Sequence, residues 1–86
     1  MPYEVIFTEE AERFLKKCDK PIRSRILDRL ENLKENPKVG KPLTANLAGL
    51  WSLRIGIYRT IYEIKHNELL ILILKIGHRK DIYGSD

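Results

Sequence analysis

From Trp51 to Ile76 the chain is organised at a period of two, and this leaves it few folds to choose from. Trp51, Leu53 and Ile55 alternate with Ser52 and Arg54, the pattern of a strand with one buried face. Gly56 offers a turn, and a second strand is expected over 57–64, ending at "KHNE". A third, over 69–76, is apolar on both faces, as a central strand would be, and Gly77 closes it. Three strands joined by such short connections make an antiparallel meander, which needs a layer to cover its apolar face.

The N-terminal half supplies that layer. "YEVIF" (3–7) is β-branched and aromatic, so one more strand is expected before Thr8, a natural N-cap with Glu9 and Glu10 in the first helical turn. Ala11, Phe14, Leu15 and Cys18 then recur at helical spacing, leaving Lys16 and Lys17 toward solvent. "CDKP" breaks that helix, and Pro21 suits the first turn of another. In the second helix Ile22, Ile26, Leu27, Leu30 and Leu33 form the inner stripe, with Arg23, Arg25, Arg29 and Lys34 outside or flanking it. Asn36-Pro37 is expected to end it. "PKVGKPLTANLAG" (37–49) has no sustained period and reads as a loop. The expected fold is α+β, in the order β-α-α-β-β-β: one domain over 1–86, an antiparallel sheet with a helical hairpin on one face.

Composition narrows the function classes. Eighty-six residues make one small core, and 16 Lys+Arg against 12 Asp+Glu leave a net charge of +4, which favours an anionic partner such as nucleic acid or an acidic protein segment. A single cysteine, Cys18, cannot form an internal disulfide, so a reduced cytoplasm is the expected compartment and Cys18 is read as a small core-edge residue. The N-terminus has no signal-peptide pattern. The run "ELLILILKI" is far shorter than the ~20 residues of a membrane-spanning helix, so no membrane partner is expected.

The usual enzyme motifs are absent: no CxxC pair, no HExxH, no phosphate-binding glycine loop, no serine-histidine-aspartate set with an elbow. With only His66 and His78 and no clustered carboxylates, neither a metal nor another cofactor is expected. What remains is a basic set: Arg54 on the first meander strand, Arg59 on the second, and His78, Arg79 and Lys80 past the third. Strand neighbours lie ~5 Å apart, so the meander can bring these residues to one concavity. Guanidinium groups fit phosphate oxygens bidentately, and Tyr83 offers a ring on which a base could stack. Singly, each arginine on a strand is most simply a solvated side chain. Trp51 is better explained as core, His66 as an exposed turn residue, and the arginines of the second helix as a solvated face, with RNA docking the minority reading.

Two stretches carry more information than their residues do singly. "LRIGIYRTIYEI" followed after a hairpin by "ILILKIGHRKDIY" closely resembles the RelE/ParE superfamily of small toxins from toxin-antitoxin pairs, with its Arg-x-Gly-x-Tyr-Arg-x-x-Tyr strand pair and Gly-His-Arg-x-x-x-Tyr ending. The leucine-rich "LTANLAGLW" is similar to the family's lead-in, and the family's fold has the element order read above.

The RelE branch of this resemblance implies a ribosome-dependent, metal-independent endoribonuclease that cuts messenger RNA in the A site. The ribose 2'-hydroxyl attacks the adjacent phosphate and leaves a cyclic phosphate and a free 5'-hydroxyl. By motif, Arg59 corresponds to the arginine that stabilises transition-state charge, Arg79 to the C-terminal catalytic arginine, and Tyr83 to the tyrosine that orients or stacks the nucleotide. The sequence departs from the best-known members where they have Lys-x-Lys, since Ser52 and Arg54 stand there. A guanidinium stays protonated, with a pKa above ~12, so Arg54 is expected to hold phosphate and not to act as a base. Imidazole titrates near ~6.5, which makes His78 the expected acid or base. Ser52 and Lys80 complete the expected RNA-binding set. The resemblance also implies a cognate RelB-like antitoxin in a heteromeric complex, an acidic and partly helical segment wrapping the toxin. Two other functions fit the same residues: a ParE-like inhibitor of DNA gyrase, and a basic domain that docks an acidic partner without chemistry.

Overall fold

The computed structural model describes residues 2–80. Five strands and two helices follow in the order β1 (Glu4–Phe7), α1 (Glu9–Lys17), α2 (Lys20–Glu31), β2 (Lys41–Pro42), β3 (Leu50–Ile55), β4 (Tyr58–Lys65) and β5 (Leu70–His78). They form one sheet in the order β1-β5-β4-β3-β2, with the core between the helices and one sheet face. This is the expected α+β architecture, with β5 in the interior of the sheet as its doubly apolar sequence requires.

Two details of the sheet differ from expectation. The β3-β4-β5 meander is antiparallel, but β1 runs parallel to β5, with Glu4 beside Leu70 and Phe7 beside Ile73, so the sheet is mixed. Hydrophobic period locates a strand without fixing its direction. The helices and meander between β1 and β5 supply the long crossover that parallel pairing needs. Lys41–Pro42, read as loop, is a two-residue edge strand antiparallel to β3. Proline is tolerated there because an outermost strand can leave one side of its backbone unpaired.

Thr8 joins the layers. Its hydroxyl accepts from the Ala11 N–H at 3.2 Å, capping α1, and donates to the Leu74 carbonyl at 2.9 Å. The β4–β5 register slips at this level: Ile61 pairs with Lys75 and Tyr62 with Ile73, which leaves Leu74 as the extra residue of a bulge. The threonine thus captures the carbonyl of the one β5 residue skipped by the β4 register. Glu9, Glu10 and Glu12 in the first turn and Lys16 and Lys17 in the last complement the helix dipole.

Arg23, expected on or beside the solvated face of the second helix, instead caps the first. Its Nε donates to the Leu15 carbonyl at 2.8 Å and its Nη2 to that of Cys18 at 3.0 Å, satisfying acceptors at the end of α1. The second helix ends at Glu31, earlier than Asn36-Pro37 suggested, and continues as a tighter 3-10 turn over Asn32–Lys34. Leu33 in that turn is fully buried, and the Lys34 carbonyl accepts from the Tyr3 N–H at 2.9 Å. Ile26, Leu30 and Leu33 reach the core, whereas Leu27 lies at its rim, 37% exposed. Burying each large apolar side chain contributes about 1.5–3 kcal/mol, so the shared core of Leu15, Ile26, Leu30, Leu53, Ile71 and Ile73 binds the hairpin to the sheet.

Candidate phosphate-binding cleft

The meander sorts its side chains by alternation. Leu53 and Ile55 of β3 and Tyr62 of β4 belong to the core against the helices, while Trp51 and Tyr58 pack on it from the same face. Ser52, Arg54, Arg59 and Ile61 therefore stand on the opposite face. Gly56 turns the hairpin with φ +61°, a conformation that glycine adopts without the strain of a side chain, and brings Arg54 directly opposite Arg59. Like charges directly opposite each other destabilise a hairpin, so the pair spends stability to gather positive charge.

Arg59 is half-buried, and its Nη1 donates to the Ser52 hydroxyl at 2.9 Å. Ser52 is itself 2% exposed, so this serine orients a guanidinium from below and offers little surface of its own to a ligand. Arg54 is exposed, with a long 3.5 Å contact from Nε to the Gly56 carbonyl. Ser52, Arg54 and Arg59 border a cleft of about 500 Å³ whose other wall is Val39, Gly40, Lys41 and Pro42. No aspartate or glutamate is among these lining residues.

Lys41 lies directly opposite Ser52 in the β2–β3 register, on the face of the two arginines. Lys41 falls within 37–49, the segment expected to be a loop, and is absent from the expected basic set. Only the pairing of two residues around a proline makes it part of the sheet, and hydrophobic period carries no such signal.

The strand that carries Lys41 is clamped from below. The Tyr62 hydroxyl donates to the Pro37 carbonyl at 2.7 Å and accepts from the Gly40 N–H at 3.2 Å, and its ring stacks on Trp51 with centroids 6.4 Å apart. Burial pushes the Tyr62 phenol above its ordinary pKa, and the Gly40 hydrogen bond pulls the other way. Gly40 sits so close that a Cβ there would lie 2.5 Å from the Tyr62 hydroxyl and 2.6 Å from the Ser52 carbonyl oxygen.

The remaining candidates are not all gathered at this cleft. His78 pairs with Tyr58, and its ring meets the Tyr58 ring edge-on at 5.5 Å. Tyr58 in turn contacts Phe14 of α1, so His78 projects from the helix side of the sheet, away from Arg54 and Arg59. One concavity holding both the arginines and His78 was expected; β alternation makes Gly77, not His78, the neighbour on the Arg59 side. Arg79 follows β5 in an exposed turn, tied by its N–H to the Ile57 carbonyl at 2.9 Å, with Lys80 beyond it. Tyr83 lies outside the described residues. Burial raises the Cys18 thiol pKa, opposed by Arg23 and reinforced by Asp19, so Cys18 has the character of an inert core-edge group. Among the described residues no three His, Cys, Asp or Glu side chains converge as metal donors, and no helix is long and apolar enough to cross a membrane.

Known proteins share this architecture over nearly its whole length. Residues 5–83 match the family model described as the ParE toxin of the type II toxin-antitoxin system parDE. The chain is 41% identical over 85 residues to Toxin RelG of Mycobacterium tuberculosis, covering 96% of this chain and 98% of that protein. It is 34% identical to Toxin RelE of the same organism, covering 95% and 87%. Among solved structures, a chain of the M. tuberculosis toxin-antitoxin complex RelBE2 superposes with a TM-score of 0.84 at 38% identity, over 92% of this chain and 100% of that one. The archaeal RelE-RelB complex of Pyrococcus horikoshii OT3 gives a TM-score of 0.75 at 26% identity, over 94% and 99%.

Proposed function

The chain belongs to the RelE/ParE family of toxins of type II toxin-antitoxin systems, and from that premise we propose that it is a ribosome-dependent, metal-independent endoribonuclease acting on messenger RNA in the A site. The observation that carries the reading is the Arg54–Arg59 pair, two guanidinium groups directly opposite each other on a cleft with no carboxylate among its described lining residues, one of them held by Ser52. Such a pair is built to meet an oxyanion.

In the reaction, the ribose 2'-oxygen bonds to the adjacent phosphorus while the bond to the 5'-oxygen breaks. The 2'-proton leaves to a base and a proton reaches the departing oxygen, giving a cyclic phosphate and a free 5'-hydroxyl. Arg59 stabilises the charge that accumulates on the phosphorus oxygens, Arg54 holds the phosphate, and Ser52 positions Arg59. Arg79 adds a second catalytic cation from the end of β5, with Lys80 on the RNA backbone. Tyr83 orients the nucleotide. His78, on the opposite face of the sheet from the arginine pair, is not placed to move a proton at the phosphate they hold, and its role is confined to contact with RNA at the end of β5. A held arginine such as Arg59 acts at the transition state without reorganising, which is where positioned charge is most effective.

A cognate antitoxin of RelB type completes the proposal, in a heteromeric complex in the cytoplasm. The net charge of +4 suits an acidic segment, and both solved structures described above are toxin-antitoxin complexes.

Primer extension on messenger RNA, with and without translating ribosomes, tests the activity, with Arg59→Ala and Arg79→Ala alongside. Cuts that require ribosomes and disappear in both variants are the expected result. Because the matching family model is described as ParE, gyrase supercoiling is the parallel assay. Inhibition of gyrase with no RNA cleavage by folded protein replaces the ribonuclease reading.

A further inference from the structure

Resting on that ribonuclease reading, we infer that Lys41 is a backbone-phosphate ligand of the RNA, binding a phosphate next to the one held by Arg54 and Arg59. Three adjacent strands each contribute a cation to one face: Lys41 from β2, Arg54 from β3, Arg59 from β4. Among the described residues Lys41 and Arg54 take part in no ion pair, and none of those lining the cleft they share is acidic. Strands lie about 4.8 Å apart, so Lys41 is offset from Arg59 by two strand spacings across the sheet and by two residues along it. The long side chains of both residues can then meet successive phosphates of one strand, as a basic groove tracking single-stranded RNA does.

The mounting of Lys41 argues for a purpose. A two-residue edge strand would ordinarily fray, yet this one is fixed on both sides of the lysine. Before it, the Tyr62 hydroxyl binds both Pro37 and Gly40; after it, the Leu43 N–H donates to the Leu50 carbonyl at 2.9 Å. The backbone of Lys41 is therefore held while its side chain stays exposed, which lowers the entropy lost when the ammonium meets a phosphate. Lysines on edge strands also serve simply to discourage edge-to-edge pairing. That role predicts no effect on RNA.

The test uses the whole chain and a trinucleotide 2'-O-methylated at every ribose, which binds but cannot be cut, followed by fluorescence polarisation at several KCl concentrations. Lys41→Ala is expected to bind about three- to five-fold more weakly, with a salt slope lower by about 0.7, the value for one phosphate contact on a single strand. Lys41→Arg restores both. Tyr62→Phe keeps the charge and therefore the slope, but weakens binding through the released turn. Wild-type affinity and slope in Lys41→Ala overturn the inference, as does the absence of saturable binding by the wild-type chain. Lysine-dependent binding without ribosomal cleavage leaves the phosphate site standing and removes the ribonuclease reading alone.

Discussion

The Ser52 hydroxyl accepts a 2.9 Å hydrogen bond from Arg59 Nη1, across a hairpin in which Arg59 also faces Arg54. A serine buried to 2% exposure beneath a cleft would otherwise be an expensive residue on that face. Its value lies in fixing one rotamer of a long side chain. Ser52→Ala should therefore lower ribosome-dependent cleavage about ten-fold, through kcat more than KM, while the loss of one hydrogen bond costs about 1 kcal/mol of stability. Single-turnover cleavage beside urea denaturation separates the two effects. Unchanged cleavage in Ser52→Ala would show that Arg59 needs no such support.

Thr8 gives a prediction about the fold alone. Thr8→Ala removes both the cap on α1 and the bond to the Leu74 carbonyl, and should cost about 2 kcal/mol, at the upper end for a helix cap. Thr8→Ser keeps both hydrogen bonds and should recover most of that stability. Equal losses in the two variants, measured by thermal or urea unfolding, would place the contribution in the threonine methyl group.

Four of the five strands, both helices and the arginine pair were legible because each rests on a local rule: period two, period 3.6, an N-cap before acidic residues, a glycine between paired strands. What escaped depended on relations between distant residues. Nothing near Lys41 announces a strand; its partner Ser52 is eleven positions away, and its support is a tyrosine hydroxyl at position 62. Arg23 reads as one more charge on a helix until the end of the neighbouring helix needs a donor. His78 shows the limit of motif reading. Adjacent residues on a strand point to opposite faces, so a Gly-His-Arg run does not deliver all its side chains to one place.

Thr60 marks a local conflict that sequence period could not reveal. It is fully buried on the core face of β4, paired with Leu53 and Ile76, and its hydroxyl has no hydrogen-bond partner among the described residues. Thr60→Val replaces the hydroxyl with a methyl of similar size and should raise stability by about 1 kcal/mol, the lower bound for desolvating an unsatisfied hydroxyl. Cleavage should be unaltered, because the side chain faces away from the cleft. A destabilised Thr60→Val in urea titration would mean that the hydroxyl is satisfied in solution.

Tyr62 links the clamp on β2 to pH. Tyr62→Phe leaves the Pro37 carbonyl and the Gly40 N–H without their partner and should cost about 1–2 kcal/mol at pH 8. Burial raises the folded-state pKa of the phenol above its unfolded value of about 10. An unfolded chain therefore ionises this tyrosine first, and the stability contributed by keeping it neutral is present below pH 10 and lost as pH rises through the folded-state value. Urea unfolding of the two proteins from pH 8 to 11 reads the difference directly, since the remaining tyrosines and lysines are common to both. The wild-type advantage should shrink above pH 10 as the phenylalanine variant escapes this term. A constant difference across the range would mean that Tyr62 titrates alike in the folded and unfolded chains, and that its hydroxyl is open to water despite the contact with Gly40.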